Sequence, residues 1–310
     1  MSLNSQLIAA IHDQNISLIT SLLKSDADPN VRGKFGNTAL HMAFNILQCT
    51  SECTIVELLL AHGANPNIQN VYGDTILHKI INLIDYNNKR TQCKNKQCKN
   101  NHCRTETTII ELLLTHDTDV NLKNKNGDTP LLMSVARSCT TITKLLLLSG
   151  TDPNIQDISG TTPLSCYCLR NDINIELITL FLTYGANPNI QNNFGNTTLH
   201  YMARHIRSKQ FFPTIELLLA HGANPNVVAK NDCTPFDFIY VMNQQHKGYY
   251  DATFKKLTCL FDTYNRKLFS LICEGLKQYK LGLNALLLIG QQIVPLPDND
   301  LSVIVLKYQC

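Results

Sequence analysis

Apolar residues in this chain fall into short runs at helical spacing, and the runs come in pairs. Leu7, Ile8 and Ile11 precede Ile16, Ile19, Leu22 and Leu23, which predicts two short amphipathic helices within residues 3–30. Residues 54–62, Thr-Ile-Val-Glu-Leu-Leu-Leu-Ala-His, have counterparts at 108–116, 141–149, 175–184 and 214–221, each predicting the second helix of a pair. Gly63, Gly150, Gly185 and Gly222 follow these runs and stop the helices, because glycine takes the left-handed C′ conformation without a side-chain clash. A polar turn comes next, Asn65-Pro66-Asn67 in one copy and Asn187-Pro188-Asn189 in another, and throws the chain outward.

The first helix of each pair is announced by a threonine. Gly36-Asn37-Thr38-Ala39-Leu40-His41 is repeated as Gly73-Asp74-Thr75-Ile76-Leu77-His78, Gly127-Asp128-Thr129-Pro130-Leu131-Leu132, Gly160-Thr161-Thr162-Pro163-Leu164-Ser165 and Gly195-Asn196-Thr197-Thr198-Leu199-His200. Asp232-Cys233-Thr234-Pro235-Phe236-Asp237 is a decayed sixth copy. The threonines lie 37, 54, 33, 35 and 37 residues apart, a period near 33 with insertions. Threonine is a good N-cap, its hydroxyl taking up an orphan amide of the first turn, and proline at the next position has no amide to lose. Leucines on both helices cannot be buried inside one pair, so each pair must stack on the next.

A 33-residue unit carrying T-P-L-H resembles the ankyrin repeat. The resemblance covers residues 1 to about 265 and implies an all-α ankyrin-repeat solenoid, helix-turn-helix units with outward β-turn fingers, closed by a C-terminal helical cap. Residues 1–33 fit an N-terminal capping repeat, followed by units at 34–70, 71–124, 125–157, 158–192, 193–230 and a degenerate 231–265. After Thr234 the pattern dissolves into helices expected near 252–264, 266–280 and 283–289, the last two in a C-terminal helical region at 266–310. The unit at 71–124 ends Thr115-His116-Asp117-Thr118-Asp119-Val120-Asn121, without the stop glycine or the proline, so its turn is expected to be the least regular.

Net charge is +3, and its location matters. Residues 87–105 hold Lys89, Arg90, Lys94, Lys96, Lys99 and Arg104 with no acid, leaving 21 basic against 24 acidic residues elsewhere. The positive excess is one insertion, not the chain-wide stripe of a nucleic-acid binder. That insertion is expected to be a basic loop between the two helices of its repeat. It also holds Cys93, Cys98, His102 and Cys103, a four-ligand set for zinc by residue type, although the spacing is unusual for a zinc site and His102 and Cys103 are adjacent. The other nine of the twelve cysteines are scattered among apolar residues, where a free thiol packs as a small hydrophobe, and they point to a reducing compartment. No leader or membrane-spanning run stands out.

His41, His78 and His200 recur at the last place of T-x-L-H, where the family uses the ring to tie the helix start to neighbouring turns. His62, His116 and His221 close second helices. No G-x-S-x-G, phosphate loop or H-E-x-x-H is present, and the expectation is a protein with no enzymatic activity and no cofactor. Binding is expected on the concave face, at Phe35, Tyr72 and Phe194 before the finger glycines and at Met42, Lys79, Tyr201 and Arg204 after them; aromatic and arginine side chains are enriched in binding hot spots.

The last segment, Leu296-Pro297-Asp298-Asn299-Asp300-Leu301-Ser302-Val303-Ile304-Val305-Leu306-Lys307-Tyr308, resembles the opening of an F-box. With the repeats, it resembles the ankyrin/PRANC effectors of poxviruses and of rickettsial bacteria such as Orientia. That resemblance implies a host protein held by the repeats and a Skp-type adaptor with its cullin ubiquitin ligase engaged by Leu296, Pro297, Leu301, Ile304, Val305 and Tyr308. It further implies secretion into host cytoplasm; a monomer is expected, and the charge distribution and the lack of a long apolar run lead to the expectation of neither nucleic-acid binding nor membrane insertion. The competing expectation is a binding protein whose terminal helix is a structural cap.

Overall fold

The computed structural model describes residues 2–46, 53–89, 98–170, 172–202, 205, 208–238 and 255–265, with side chains at all of these except 45–46, 84–89 and 98–105. They fall into two compact units, residues 1–167 with 183–186, and residues 168–182 with the described residues from 187 onward. Among the described residues every regular element is helical, and the only β pairing is an isolated bridge between Arg32 and Thr38.

In the first unit the helices pair in chain order. These are α1 (Leu3–His12) with α2 (Ile16–Lys24), α3 (Ala39–Ile46) with α4 (Thr54–Ala61), α5 (Ile76–Lys89) with α6 (Cys98–Leu114), and α7 (Pro130–Ala136) with α8 (Thr140–Leu148), followed by α9 (Pro163–Cys168). First helices pack on first helices, α1 on α3, α3 on α5 and α5 on α7. The core is continuous because each pair lends apolar side chains to the next: Leu7, Ile11 and Ile19, then Leu40, Val56 and Leu59, then Ile76, Ile80, Ile109 and Leu113, all fully or almost fully buried. Each such side chain contributes about 1.5–3 kcal/mol.

The second unit holds α10 (Ile175–Thr183), α11 (Thr198–Met202) and α12 (Phe211–Ala220), with residues 255–265 also helical. Phe181, Phe211, Ile215 and Leu218 are its fully buried centre, and Leu257 and Phe261 of the last helix are buried as well.

Helix starts divide by the residue three after the threonine. Where that residue is not histidine, the hydroxyl caps as expected: Thr129 Oγ1 accepts the Leu132 N–H (3.3 Å), Thr162 that of Ser165 (3.3 Å) and Thr234 that of Asp237 (3.3 Å). In the decayed sixth copy the Asp237 carboxylate in turn accepts the Thr234 amide (2.7 Å) and hydroxyl (2.6 Å), closing a capping box. Where it is histidine, the ring takes over. His41 Nδ1 lies 3.2 Å from the Thr38 amide and 2.8 Å from its hydroxyl, and His78 and His200 repeat the arrangement.

The helix-stop turns are held by an asparagine ladder. Asn30 Nδ2 donates to Gly63 O (3.2 Å) while its Oδ1 accepts the Asn65 N–H (2.7 Å), tying one turn to the next. Asn189 does the same to Gly222 O (2.7 Å) and Asn224 N–H (2.6 Å). The turn after α6, expected to be irregular, is not. Asn67 reaches Asp117 O (2.9 Å) and the Asp119 N–H (2.7 Å), as in a consensus copy. Asp117 takes the glycine's place at φ 43°, and the open space around the stop glycines explains why. A Cβ built on Gly63, Gly150, Gly185 or Gly222 meets nothing within 4 Å, so aspartate, which tolerates the left-handed region, costs only its backbone preference there.

The insertion also departs from expectation. It is not a loop between helices of ordinary length: α5 runs on to Lys89 and α6 begins at Cys98, so the two helices take up most of residues 87–105. From Ile76 to Asp117 there is neither glycine nor proline to end a helix, and buried Ile80, Ile81, Ile109 and Ile110 anchor its two stems.

Candidate binding edge and groove

Four of the fingers are built around one asparagine or aspartate. Asn70 Oδ1 accepts the amides of Tyr72 (2.8 Å) and Asp74 (3.0 Å), folding the tip back on itself; Asn124, Asp157 and Asn192 fold theirs in the same way. Neighbouring fingers are then joined through the backbone, Val71 N–H to Phe35 O (3.0 Å) and Lys125 N–H to Tyr72 O (3.0 Å) in the first unit, and Lys230 N–H to Phe194 O (2.9 Å) in the second. The contact is close enough that a Cβ on Gly73 would lie 2.7 Å from Lys125 N. Gln69 adds a bridge, its Nε2 donating both to Gly73 O (2.7 Å) and to Lys123 O (2.7 Å).

This framework fixes which side chains stand outward. Phe35 is 51% exposed, Tyr72 56% and Phe194 67%, unusually high for aromatics. Phe35 and Tyr72 meet, their ring centroids 6.3 Å apart at 37°, and Lys34 Nζ lies 5.1 Å from the Phe35 centroid. Beside Tyr72 opens a groove of about 610 Å³, lined by Asp74, Asn124, Lys125, Asn126 and Asp128 of the fingers and by Asn82, Met133, Ala136 and Arg137 from the first helices. Arg137 Nη1 reaches Asn82 O at 3.4 Å across the groove floor. Burial, then the charge of Asp157, pushes the Asp128 carboxyl above its ordinary range, and Arg137 pulls it back in part.

The positions four residues after the threonine behave differently from expectation. Met42 is buried, its thioether under Gly33, where a Cβ would come within 2.9 Å of the sulfur. Asn124 Nδ2 lies 3.8 Å from Met133 Sδ, and Asn192 Nδ2 bonds the Tyr201 hydroxyl, so side chains here prop the finger from below. Met42 is therefore framework in its own repeat; Lys79 and Tyr201 are half-buried. The groove is lined by Met133 at the fourth position and by Asn82, Ala136 and Arg137, seven and eight positions after their threonines. The sequence carried a hint of this in Arg204, seven after Thr197, which lies outside the described residues together with Cys93, Leu296, Pro297, Leu301, Ile304, Val305 and Tyr308. Cys98, His102 and Cys103 belong to the backbone of α6, and their side chains are outside the description.

The histidines bind the stack. His41 Nε2 lies 3.1 Å from Asp74 O of the following finger, His78 Nε2 3.0 Å from Asp128 O and His200 Nε2 3.3 Å from Cys233 O. With Nδ1 accepting from the threonine and Nε2–H donating to the next repeat, each ring is neutral in one tautomer. Burial pushes all three pKa values down, His41 to about 4. His62, His116 and His221 instead reach back from Nδ1 to the carbonyls of Leu58 (2.8 Å), Leu112 (3.0 Å) and Leu217 (2.9 Å), closing helix C-termini.

A family model for ankyrin repeats matches three times, at residues 7–88, 98–175 and 132–229, well over half of the chain. The chain belongs to the ankyrin-repeat family. Among solved structures it is similar to the ankyrin repeat domain of Bcl-3, a member of the IkappaB protein family, at 24% identity and a TM-score of 0.56, covering 75% of this chain and 92% of that one. That likeness is one of fold. A search of curated proteins returns no match. Ankyrin repeats are protein–protein interaction scaffolds and generally not enzymes. Among the described residues no group of three or more His, Cys, Asp or Glu is placed to hold a metal, and no helix is long and apolar enough to cross a membrane.

Proposed function

We propose that this ankyrin-repeat protein is a non-enzymatic scaffold that holds another protein along the finger edge and adjoining groove of its first unit. The observation that carries this reading is the Phe35–Tyr72 pair, two half-exposed rings in contact at the mouth of the groove. Leaving that much aromatic surface in water forgoes burial worth kilocalories per ring, and exposed aromatics beside an arginine-lined groove are what a binding hot spot requires. The double variant Phe35→Ala/Tyr72→Ala keeps its melting temperature and loses its bound partner in co-precipitation. Unchanged recovery of that partner overturns the reading.

The finer proposal is that the protein is a secreted effector acting in host cytoplasm, and that its segment 293–310 recruits a Skp-type adaptor and cullin ligase. It is supported by the Leu296-Pro297 pattern and by Cys53, Cys139, Cys166, Cys168, Cys233 and Cys259, all free thiols as a reducing compartment favours. A pull-down from mammalian lysate compares the full chain with one ending at Ile293. Adaptor and cullin recovered only by the full chain supports recruitment; equal recovery, or none from either, removes it.

A further inference from the structure

The fingers of the first unit carry four cations and three acids, and these are not equally presented. Arg32, Lys34, Lys123 and Lys125 are all exposed, whereas Asp74, Asp128 and Asp157 are half-buried. Two of the carboxylates are committed to the framework: Asp74 Oδ1 takes Asn124 Nδ2 (3.2 Å), and Asp157 Oδ1 takes the amides of Ser159 and Thr161 (2.8 Å each). Arg32 Nη1 and Lys123 Nζ are engaged as well, donating to Gln69 O (3.2 Å) and Gln156 O (2.8 Å), so a partner approaching the edge meets chiefly Lys34 beside Phe35 and Lys125 beside Tyr72, whose neighbour Val71 is 46% exposed.

We propose that this edge docks an extended, acidic segment of another protein carrying apolar side chains two residues apart. The proposal rests on the scaffold reading above and names the chemistry of its ligand. Side chains on one face of an extended chain repeat about every 6.6–6.8 Å. The Phe35 and Tyr72 rings are 6.3 Å apart, so successive same-face side chains of the segment meet successive rings, and carboxylates at the next same-face positions on either side of them face Lys34 and Lys125. Charge complementarity of this kind selects the partner and speeds its approach. Single-stranded nucleic acid fits the edge less well. Its bases need parallel platforms, whereas the two rings are tilted 37° from each other and the Lys34 ammonium sits over Phe35.

The test is selection of a displayed random peptide library on the immobilised full chain, followed by fluorescence anisotropy with the enriched peptides and with a labelled oligothymidine. Enriched peptides are expected to be acidic with apolar residues at i and i+2. Lys34→Glu/Lys125→Glu is expected to weaken them by about tenfold or more, with affinity falling as salt rises. Circular dichroism and the melting temperature, which surface charge reversal leaves in place, verify the fold of each variant. The proposal is overturned by enrichment of peptides without acids, by no enrichment, by charge-reversed protein binding within about twofold of the original, or by tighter binding of the oligothymidine. If Phe35→Ala/Tyr72→Ala abolishes binding while Lys34→Glu/Lys125→Glu does not, the acidic chemistry fails and the scaffold reading stands; if neither variant matters, both fall.

Discussion

Asp157 stands to Asp128 as Asn124 stands to Asp74, and the substitution turns a hydrogen bond into a repulsion. Asn70 donates through Nδ2 to Asn37 Oδ1 (3.0 Å) and Asn124 to Asp74 Oδ1 (3.2 Å), one rung per pair of fingers. At the next rung Asp157 has no hydrogen to give, and its charge helps push the Asp128 carboxyl up. In the second unit the rung ends differently: Ala229 occupies the asparagine's place, and Asn196 Oδ1 is buried without a partner.

Asp157→Asn is therefore expected to stabilise the protein, by about 0.5–1.5 kcal/mol, since the amide oxygen keeps the Ser159 and Thr161 bonds and Nδ2 supplies the missing rung. The sign with pH follows from linkage. A carboxyl whose folded pKa is raised is fully compatible with folding below its unfolded value and loses stability as pH rises through the folded one. The gain should thus be larger at pH 7 than at pH 3, read as the difference in denaturation midpoints.

Acid should loosen the histidine ties. The buried rings fold neutral, His41 with a pKa of about 4 against an ordinary 6.5, so between those values the unfolded chain binds the proton first. Stability is present above about pH 6.5 and declines as pH falls toward about 4. His41→Leu, the residue type that repeat three carries as Leu132, should cost about 1–3 kcal/mol at pH 7 by orphaning the Thr38 amide and Asp74 O. That deficit should shrink near pH 4, in melts followed by circular dichroism.

The two classes of glycine should respond unequally to alanine. Gly63→Ala, at φ 85° with open space around the new Cβ, should cost only the backbone preference, about 1–2 kcal/mol. Gly73→Ala, at φ 75°, carries the same cost and drives the Cβ to 2.7 Å from Lys125 N, so its loss should be at least about twice as large. Chemical denaturation of the pair decides this. Equal losses would mean that the finger contact gives way without strain.

Removing one rung of the turn ladder should be felt in the following repeat. Asn67→Ala deletes the bonds to Asp117 O and the Asp119 N–H, a loss of about 1–3 kcal/mol. Hydrogen exchange at the Asp119 amide should accelerate more than at Asn65, whose bond to Asn30 is untouched.

What the sequence by itself determined is what is written within a few residues of itself. Period, helix pairs, helix stops and caps depend on contacts three to five positions apart, such as Thr129 with Leu132 or Gly63 with the end of α4, and these recur from copy to copy in one of a few local forms. Even where a letter changed, from glycine to Asp117, the backbone need at that place did not. What only the tertiary structure decided depends on partners some 33 to 50 residues away, where each repeat meets the next. Met42 and Arg137 look equally available on their helices, yet Met42 is roofed by Gly33 of its own finger while Arg137 lines the groove and reaches Asn82 O of the preceding repeat. Likewise Asp157 is an ordinary turn residue in its own finger, and it becomes a liability only because Asp128 faces it across the stack.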